Sequence, residues 1–387
     1  MKILFCHHGS ICEPGIIRAM EGMGHEVIMF RNKWKNPEDD RDYMEALSQH
    51  VSEQNPDIVF AVNFVPLISR ICQRIQIPYY CWIVDSPVIQ LYSDTLLNSC
   101  NYVYIFDYTL YLEFCDKNPG HIFYLPLGCD MELFDQIEVT GEDHKMYDCD
   151  ISFVGSLYSE KCTYNSIEKY LPEYLQGYFA GVLNAQQRIY GYNFLQEILT
   201  DDIVNILKQV IDVNQCAGYA MDERTLIGNL FLNPKCTEIE RIRLLNAIAD
   251  HFSVDLYTES ETTPLKNVNC KGVVSSLEGM PKVFKCSKIN LNLTAKGIQS
   301  GASLRIYDVL GCGGFLLSNY QAELPEQFEI GKEIVLFESE KDLLEKITYY
   351  LEHEEERKWI AKNGYEKVKK QYTYQKRLEE MFLHYVW

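Results

Sequence analysis

Between Asn290 and Tyr320 the chain reads NLNLTAKGIQSGASLRIYDVLGCGGFLLSNY, and its polar residues fall where an anion would be held. Lys296 follows an apolar strand, Ile289–Leu293, and offers a positive charge to a diphosphate. Gly301, Ala302 and Ser303 lead into a helix that starts near Leu304. Ser303 suits the N-cap, and the amides and positive dipole end of a helix start favour phosphate. Arg305 lies in the first turn, where a cation opposes the dipole, so its charge is expected to serve a phosphate or a nearby acid. Asp308 comes one turn later and can share a face with Arg305. A plain surface pair would be worth roughly a few tenths of a kcal/mol. The helix's other face (Ile306, Val309, Leu310) is apolar and two apolar strands flank it, which favours a site. Gly311, Gly313 and Gly314 turn the chain into the next strand and read as structural.

Two further sets of residues have useful chemistry. Cys149–Val154 (CDISFV) is an apolar strand that ends in Gly155 and Ser156. Amides at such a turn can hold phosphate oxygens, and Lys161 adds a charge. Near the N-terminus, Lys2–Cys6 runs into HHGSICEPG, which puts His7, His8 and Glu13 just past a strand. Asp85 follows the strand Ile77–Val84 and precedes Ser-Pro; Asp107 follows Tyr102–Phe106. Imidazoles and carboxylates at such an edge are candidate general bases. Asp107 reads as a helix cap and Asp85 as a site residue.

The elements that position these residues alternate. Up to Gly128, strand-length apolar runs are each followed by a helical pattern, which means a parallel sheet with right-handed crossovers. No G-x-G-x-x-G is present, so a dinucleotide fingerprint is not supported. The polar stretch Asp135–Asp148 reads as a linker between a first domain, 1–140, and a second, 149–370. From Thr163 to about residue 235 a helical insertion interrupts the second domain, with Ile167, Tyr170, Leu171, Tyr174, Leu175 and Tyr178 at helical spacing. Tyr190–Asn193 read as helix packing. A last helix, 371–387, is long enough to reach back to the first domain.

Composition sets limits. A chain of 387 residues suits two domains, and 47% apolar residues suffice for both cores. The net charge of −19 argues against a nucleic-acid partner. The 14 cysteines include no C-x-x-C pair, so metal spacing is absent and free buried thiols in a reducing cytoplasm are expected. No signal-peptide pattern and no apolar run of spanning length occur.

SLRIYDVLGCGGFLLS resembles the hallmark of GT-B glycosyltransferases, especially the spore-maturation CgeB-like proteins and the broader glycosyltransferase group 1. CDISFVGSLY resembles the start of their C-terminal domain, and IPYYCWIVDSP, YVYIFD and YLPLGCD resemble their N-terminal domain. The resemblance implies an α/β protein of two Rossmann-like domains facing a cleft, with the nucleotide-sugar donor held mainly by the second. By position, Gly155, Ser156 and Lys161 would lie near the diphosphate, Ser303 and Arg305 near the phosphates or sugar, and Asp308 at the ribose. Retaining relatives often carry a glutamate eight positions before the ribose-binding acid; here that position is Ser300. Retention and inversion therefore both stay open, and an inverting enzyme would draw its base from His7, His8, Glu13 or Asp85. The expected protein is a bacterial, cytoplasmic glycosyltransferase using a UDP-sugar, with no cofactor and no metal. Its acceptor would be a glycan or a protein. A non-catalytic nucleotide-sugar or glycan-binding protein, or a nucleotide-sugar epimerase, would share the fold.

Overall fold

A computed structural model describes residues 1–211 and 219–383. These fall into two compact units. The first comprises Met1–Asp130 together with residues 219–221 and 371–383. Its sheet contains β1 (Lys2–Cys6), β2 (Glu26–Phe30), β3 (Ile58–Val62), β4 (Tyr79–Ile83), β5 (Asn101–Ile105) and β6 (Ile122–Tyr124). The order is β2-β1-β3-β4-β5-β6 and every pairing is parallel. The strands IVFAV and YYCWI are buried at every position, as a parallel sheet covered on both faces requires. The helix Tyr374–Phe382 belongs to this unit: Thr373 bridges to Cys129, the Tyr104 hydroxyl donates to the Met381 carbonyl at 2.8 Å, and Phe382 packs on the His25 and Tyr80 rings.

The second unit covers residues 131–211 and 222–370 of the described chain. Its sheet contains β7 (Cys149–Val154), β8 (Val254–Tyr257), β9 (Asn269–Gly272), β10 (Ser287–Asn292), β11 (Leu316–Asn319) and β12 (Val335–Phe337), in the order β12-β11-β10-β7-β8-β9, again all parallel. Central β10 carries Asn290 and Asn292, both buried. Asn290 accepts from Ser152 of β7 at 2.9 Å, and Asn292 donates to Ser318 of β11 at 2.9 Å, so side-chain bonds join neighbouring strands and leave these polar groups satisfied.

Three local readings change. The stretch expected as a linker carries helices Met131–Gln136 and Gly141–Tyr147, the latter closed by a Thr140–Asp143 capping box. Both lie in the second unit, and the break between units comes earlier, after Asp130. In the helical insertion, Ile167, Leu171, Leu175 and Phe179 are buried, whereas Tyr170 and Tyr174 are 64% and 65% exposed. Pro172 resets the helix start, so the buried stripe excludes the tyrosines. Residues 212–218, within the expected insertion, and 384–387, at the end of the stretch expected as a last helix, lie outside the described residues.

Candidate functional site

In a parallel sheet the chain leaves every strand at one edge, so loops from distant parts of the sequence meet there. In the second unit that edge collects the turn after β7, the loop after β10 and the start of the helix Leu304–Gly311. Ser303 occupies the N-cap position, but its hydroxyl makes no capping bond. It donates instead to the Asn292 side chain at 3.2 Å, which ties the helix start to the end of β10 and leaves the first-turn amides without a side-chain cap. Gly301 is buried in the irregular stretch just before. Arg305 donates to Asp308 at 3.3 Å, rests on the Phe284 ring and touches the Met280 sulfur. Asp308 is buried.

The turn after β7 works differently from the expected amide cradle. The Gly155 N–H donates to the Tyr257 carbonyl at 3.0 Å, and the Leu157 N–H to the Ser260 hydroxyl at 2.7 Å. The Ser156 hydroxyl accepts the Tyr158 N–H at 2.7 Å and donates to Glu160 at 2.5 Å. These amides are committed within the protein. What the turn offers is cations. Tyr158 adopts a left-handed backbone, φ +72°, a conformation that costs a non-glycine residue about 1–2 kcal/mol. Its ring lies 5.0 Å from the Lys161 ammonium and 4.9 Å from the Arg241 guanidinium.

Arg241 is the residue that sequence reasoning missed. It comes from the helix Asn233–Ala249 and is 9% exposed. It donates to the Ser156 carbonyl at 2.5 Å and to the Leu293 carbonyl, so one guanidinium joins the ends of β7 and β10. Its Nε is buried with no acceptor among the described residues. Its partners are dipoles rather than a carboxylate. Burial pulls its pKa below the usual arginine value and the Arg305 charge adds to that, while Tyr158, Glu240 and Glu160 pull the other way. Burial does the same to Arg305, against the opposing pull of Asp308. Neither guanidinium is isolated from acids, since Glu240 and Glu160 act on Arg241 and Asp308 on Arg305, but Arg241 has no carboxylate hydrogen-bonded to it, so an anion arriving there would add a charge-assisted bond. The sequence held a sign of this: Arg241, Leu244, Leu245 and Ile248 share one helical stripe, so a charge stands among core positions.

Lys296 differs from Arg241 in having a carboxylate within salt-bridge distance. Its ammonium is buried, pairs with Glu240 at 3.2 Å and lies over the Tyr190 ring at 4.6 Å. The pair is neutral, and the loop Tyr190–Asn193 covers it, with Asn193 donating to the Lys296 carbonyl at 2.9 Å. Ser300, at the position where an acid was considered, donates to the buried Glu323 carboxylate at 2.7 Å. An acid therefore stands beside this loop after all, supplied from 23 residues further on.

In the first unit the corresponding edge brings together His7, Asn63 and Asp85 from the adjacent strands β1, β3 and β4. Glu13 is fully buried at the start of the helix Glu13–Gly22. Its carboxylate accepts the His8 and Gly9 amides at 2.9 and 3.1 Å and pairs with His7 Nδ1. A carboxylate on Nδ1 fixes the tautomer and leaves Nε2 as the nitrogen that can take a proton. Glu13 itself is fully buried, and its carboxylate is taken up by His7 and two backbone amides. Burial and the His7 charge push the pKa of neighbouring His8 down to about 3. Asp85 is exposed and accepts from Asn63 at 2.7 Å. Asp107 caps the helix Tyr108–Phe114 through the Thr109 and Leu110 amides.

Comparison with known proteins places this architecture. Residues 241–382 match the family model described as glycosyl transferase-like. No curated protein sequence matches. Among solved structures, Anabaena Alr3699/HepE in complex with UDP and glucose aligns with a TM-score of 0.60 at 11% identity, covering 100% of both chains. A glycosyltransferase from Rickettsia africae ESF-5 aligns at 0.54 and 13% identity, over 99% of this chain and 98% of that one. T4 phage BGT in complex with its UDP-glucose substrate aligns at 0.51 and 9% identity, over 99% and 98%. The chain has the GT-B fold of these glycosyltransferases. No helix among the described residues is long and apolar enough to cross a membrane.

Proposed function

We propose that this chain is a glycosyltransferase of hexosyltransferase type, which moves a sugar from a UDP-sugar to a hydroxyl of a glycan or protein acceptor. The observation that carries the reading is the cluster of Arg241, Lys161 and Arg305 around the turn after β7 and the uncapped start of the helix Leu304–Gly311. It gathers three cations at the edge of a parallel sheet where ligands are held. In the reaction the bond between the anomeric carbon and the diphosphate breaks, and the electron pair leaves with the diphosphate. Cations held in place before the reaction, with Arg241 buried among them, stabilise that charge as it develops. Asp308, buried and one helical turn from Arg305, would accept from the ribose hydroxyls.

The acceptor oxygen forms the new bond and releases a proton. His7 Nε2, held by Glu13, is the group suited to receive it. A general base of this kind favours direct displacement with inversion at the anomeric carbon. The guanidinium groups take the charge-stabilising role, so turnover should persist in EDTA. Loss of turnover on chelation, restored by Mg²⁺ or Mn²⁺, would contradict this part of the reading.

UDP titration by calorimetry tests the donor site. Binding by the wild type that weakens in Arg305→Ala is expected. A correctly folded wild type that ignores UDP and other nucleoside diphosphates would exclude the site. Binding of UDP-sugars without release of UDP, across a range of acceptors, would favour a non-catalytic nucleotide-sugar-binding protein.

A further inference from the structure

The opposite edge of the second unit's sheet, where its strands begin, carries a second feature that the glycosyltransferase reading does not use. A cavity of about 520 Å³ opens there, and its lining includes His144, Asp148 and Cys286. One ligand-type atom from each (imidazole nitrogen, carboxylate oxygen and thiol sulfur) lies within 4.8 Å of the other two. The backbone fixes this meeting. His144 sits in the last turn of the helix Gly141–Tyr147, and Asp148 is its C-cap, where His144 Nδ1 and Asp148 lie 2.8 Å apart. Cys286 ends the helix Gly279–Cys286. β7 and β10 pair with Cys149 opposite Ser287, so the preceding residues, Asp148 and Cys286, enter the sheet side by side.

The neighbouring charges have partners of their own. Lys282 pairs with Asp143, Lys288 with Asp150 and Lys358 with Glu354, and Lys285 donates to the Phe134 and Ile137 carbonyls. His144 and Asp148 pair only with each other among the described residues, and half of each side chain is open to solvent.

We propose that His144, Asp148 and Cys286 form a binding site for a borderline-soft divalent cation of the zinc type, with an open fourth position facing the cavity. Nitrogen, oxygen and sulfur donors together select zinc-like ions over magnesium or calcium, which take oxygen donors. Metal–ligand bonds of roughly 2.0–2.3 Å need donors about 3.5 Å apart. The cluster reaches that by opening the His144–Asp148 pair and closing on Cys286, movements that side-chain rotation can supply. A bound ion would tie the helix Gly141–Tyr147 to the end of Gly279–Cys286 and so join the starts of β7 and β10. The site lies at the sheet edge away from the cation cluster, so it stands or falls independently of the proposed reaction.

Titration of the metal-free, reduced full chain with Co²⁺, followed by Zn²⁺ competition, tests this. One equivalent of Co²⁺ should give the visible bands of a tetrahedral site and a thiolate-to-cobalt charge-transfer band, and Zn²⁺ should abolish both. Cys286→Ser should remove the charge-transfer band. His144→Ala, a change at an exposed side chain that leaves the fold intact, should lower Zn²⁺ affinity on the order of tenfold or more. Zn²⁺ should raise the melting temperature of the wild type and of Cys270→Ser, a change at an exposed thiol on β9 outside the cluster, alike, while Mg²⁺ leaves it unchanged. A wild type that gives no tetrahedral Co²⁺ spectrum overturns the proposal. Equal Zn²⁺ affinity in wild type, Cys286→Ser and His144→Ala also overturns it, since the ion would then sit elsewhere.

Discussion

At the scale of single residues, the account rests on two buried guanidiniums that stand at the ends of β7 and β10 and at the start of the helix Leu304–Gly311. Arg305 and Arg241 should differ in how they fail. Arg305→Ala removes a guanidinium that already has Asp308, so the fold should survive while UDP affinity falls by about 10- to 100-fold, the loss of one or two charge-assisted hydrogen bonds. Arg241→Gln should also lower UDP affinity by at least about tenfold. It should cost stability too, because the Ser156 and Leu293 carbonyls lose their common donor. Calorimetry and thermal melts on the same samples separate these effects. His7→Ala should leave UDP affinity unchanged and lower kcat by about 10²–10⁴-fold, the range for a lost general base. Steady-state kinetics alongside UDP titration checks this, and an equal loss of binding would argue against His7 as a base. The Arg305–Asp308 contact was legible because a three-residue spacing on a helix is local geometry. The state of Lys296 was not, because its partner Glu240 stands 56 residues earlier and meets it only in the folded sheet.

At the scale of elements, strand ends and helix starts set what each loop can offer. The alternation of apolar runs and helical patterns made both sheets readable, since the fully buried strands Ile58–Val62 and Tyr79–Ile83 contain almost only apolar residues. Other features depended on details that periodicity does not carry. A capping box turned part of the supposed linker into a helix, and Pro172 moved the tyrosines of the next helix to the surface. The glycine pair after Leu304–Gly311 illustrates close approach. A Cβ on Gly314 would come within 2.7 Å of the Asn290 amide nitrogen and 2.8 Å of the Phe284 carbonyl oxygen. Gly314→Ala should therefore destabilise the protein by about 1–3 kcal/mol through overpacking. Gly313, at φ +75° with nothing near its Cβ position, should cost about 1 kcal/mol as alanine, from backbone strain alone. Urea denaturation of both variants distinguishes the two mechanisms by size.

At the scale of the whole molecule, acid should be more damaging than its many carboxylates alone would make it. His8 packs half-buried against Trp34, and desolvation lowers its pKa from the ordinary 6.5 to about 3. A base with a depressed folded pKa takes its proton first in the unfolded chain. Its contribution to stability is therefore full above pH 6.5 and shrinks as pH falls toward 3. Between pH 7 and pH 5 that is a loss of about 2 kcal/mol. His8→Phe keeps a ring against Trp34 and removes the titration, so denaturation at the two pH values should show a smaller drop in the variant than in the wild type. The fold class was legible across the whole chain because each half repeats one strand-and-helix pattern. The cation arrangement of the site was not, because Arg241 reaches the ends of β7 and β10 only in the folded sheet. The most direct test of the central claim is UDP release from a panel of UDP-sugars, with and without acceptors, by wild type, Arg305→Ala and His7→Ala. The account predicts turnover of at least one donor by the wild type, loss through weakened donor binding in Arg305→Ala, and loss with donor binding intact in His7→Ala. Wild-type turnover that neither substitution changes, or no turnover of any nucleotide sugar by a wild type that is folded, would contradict it.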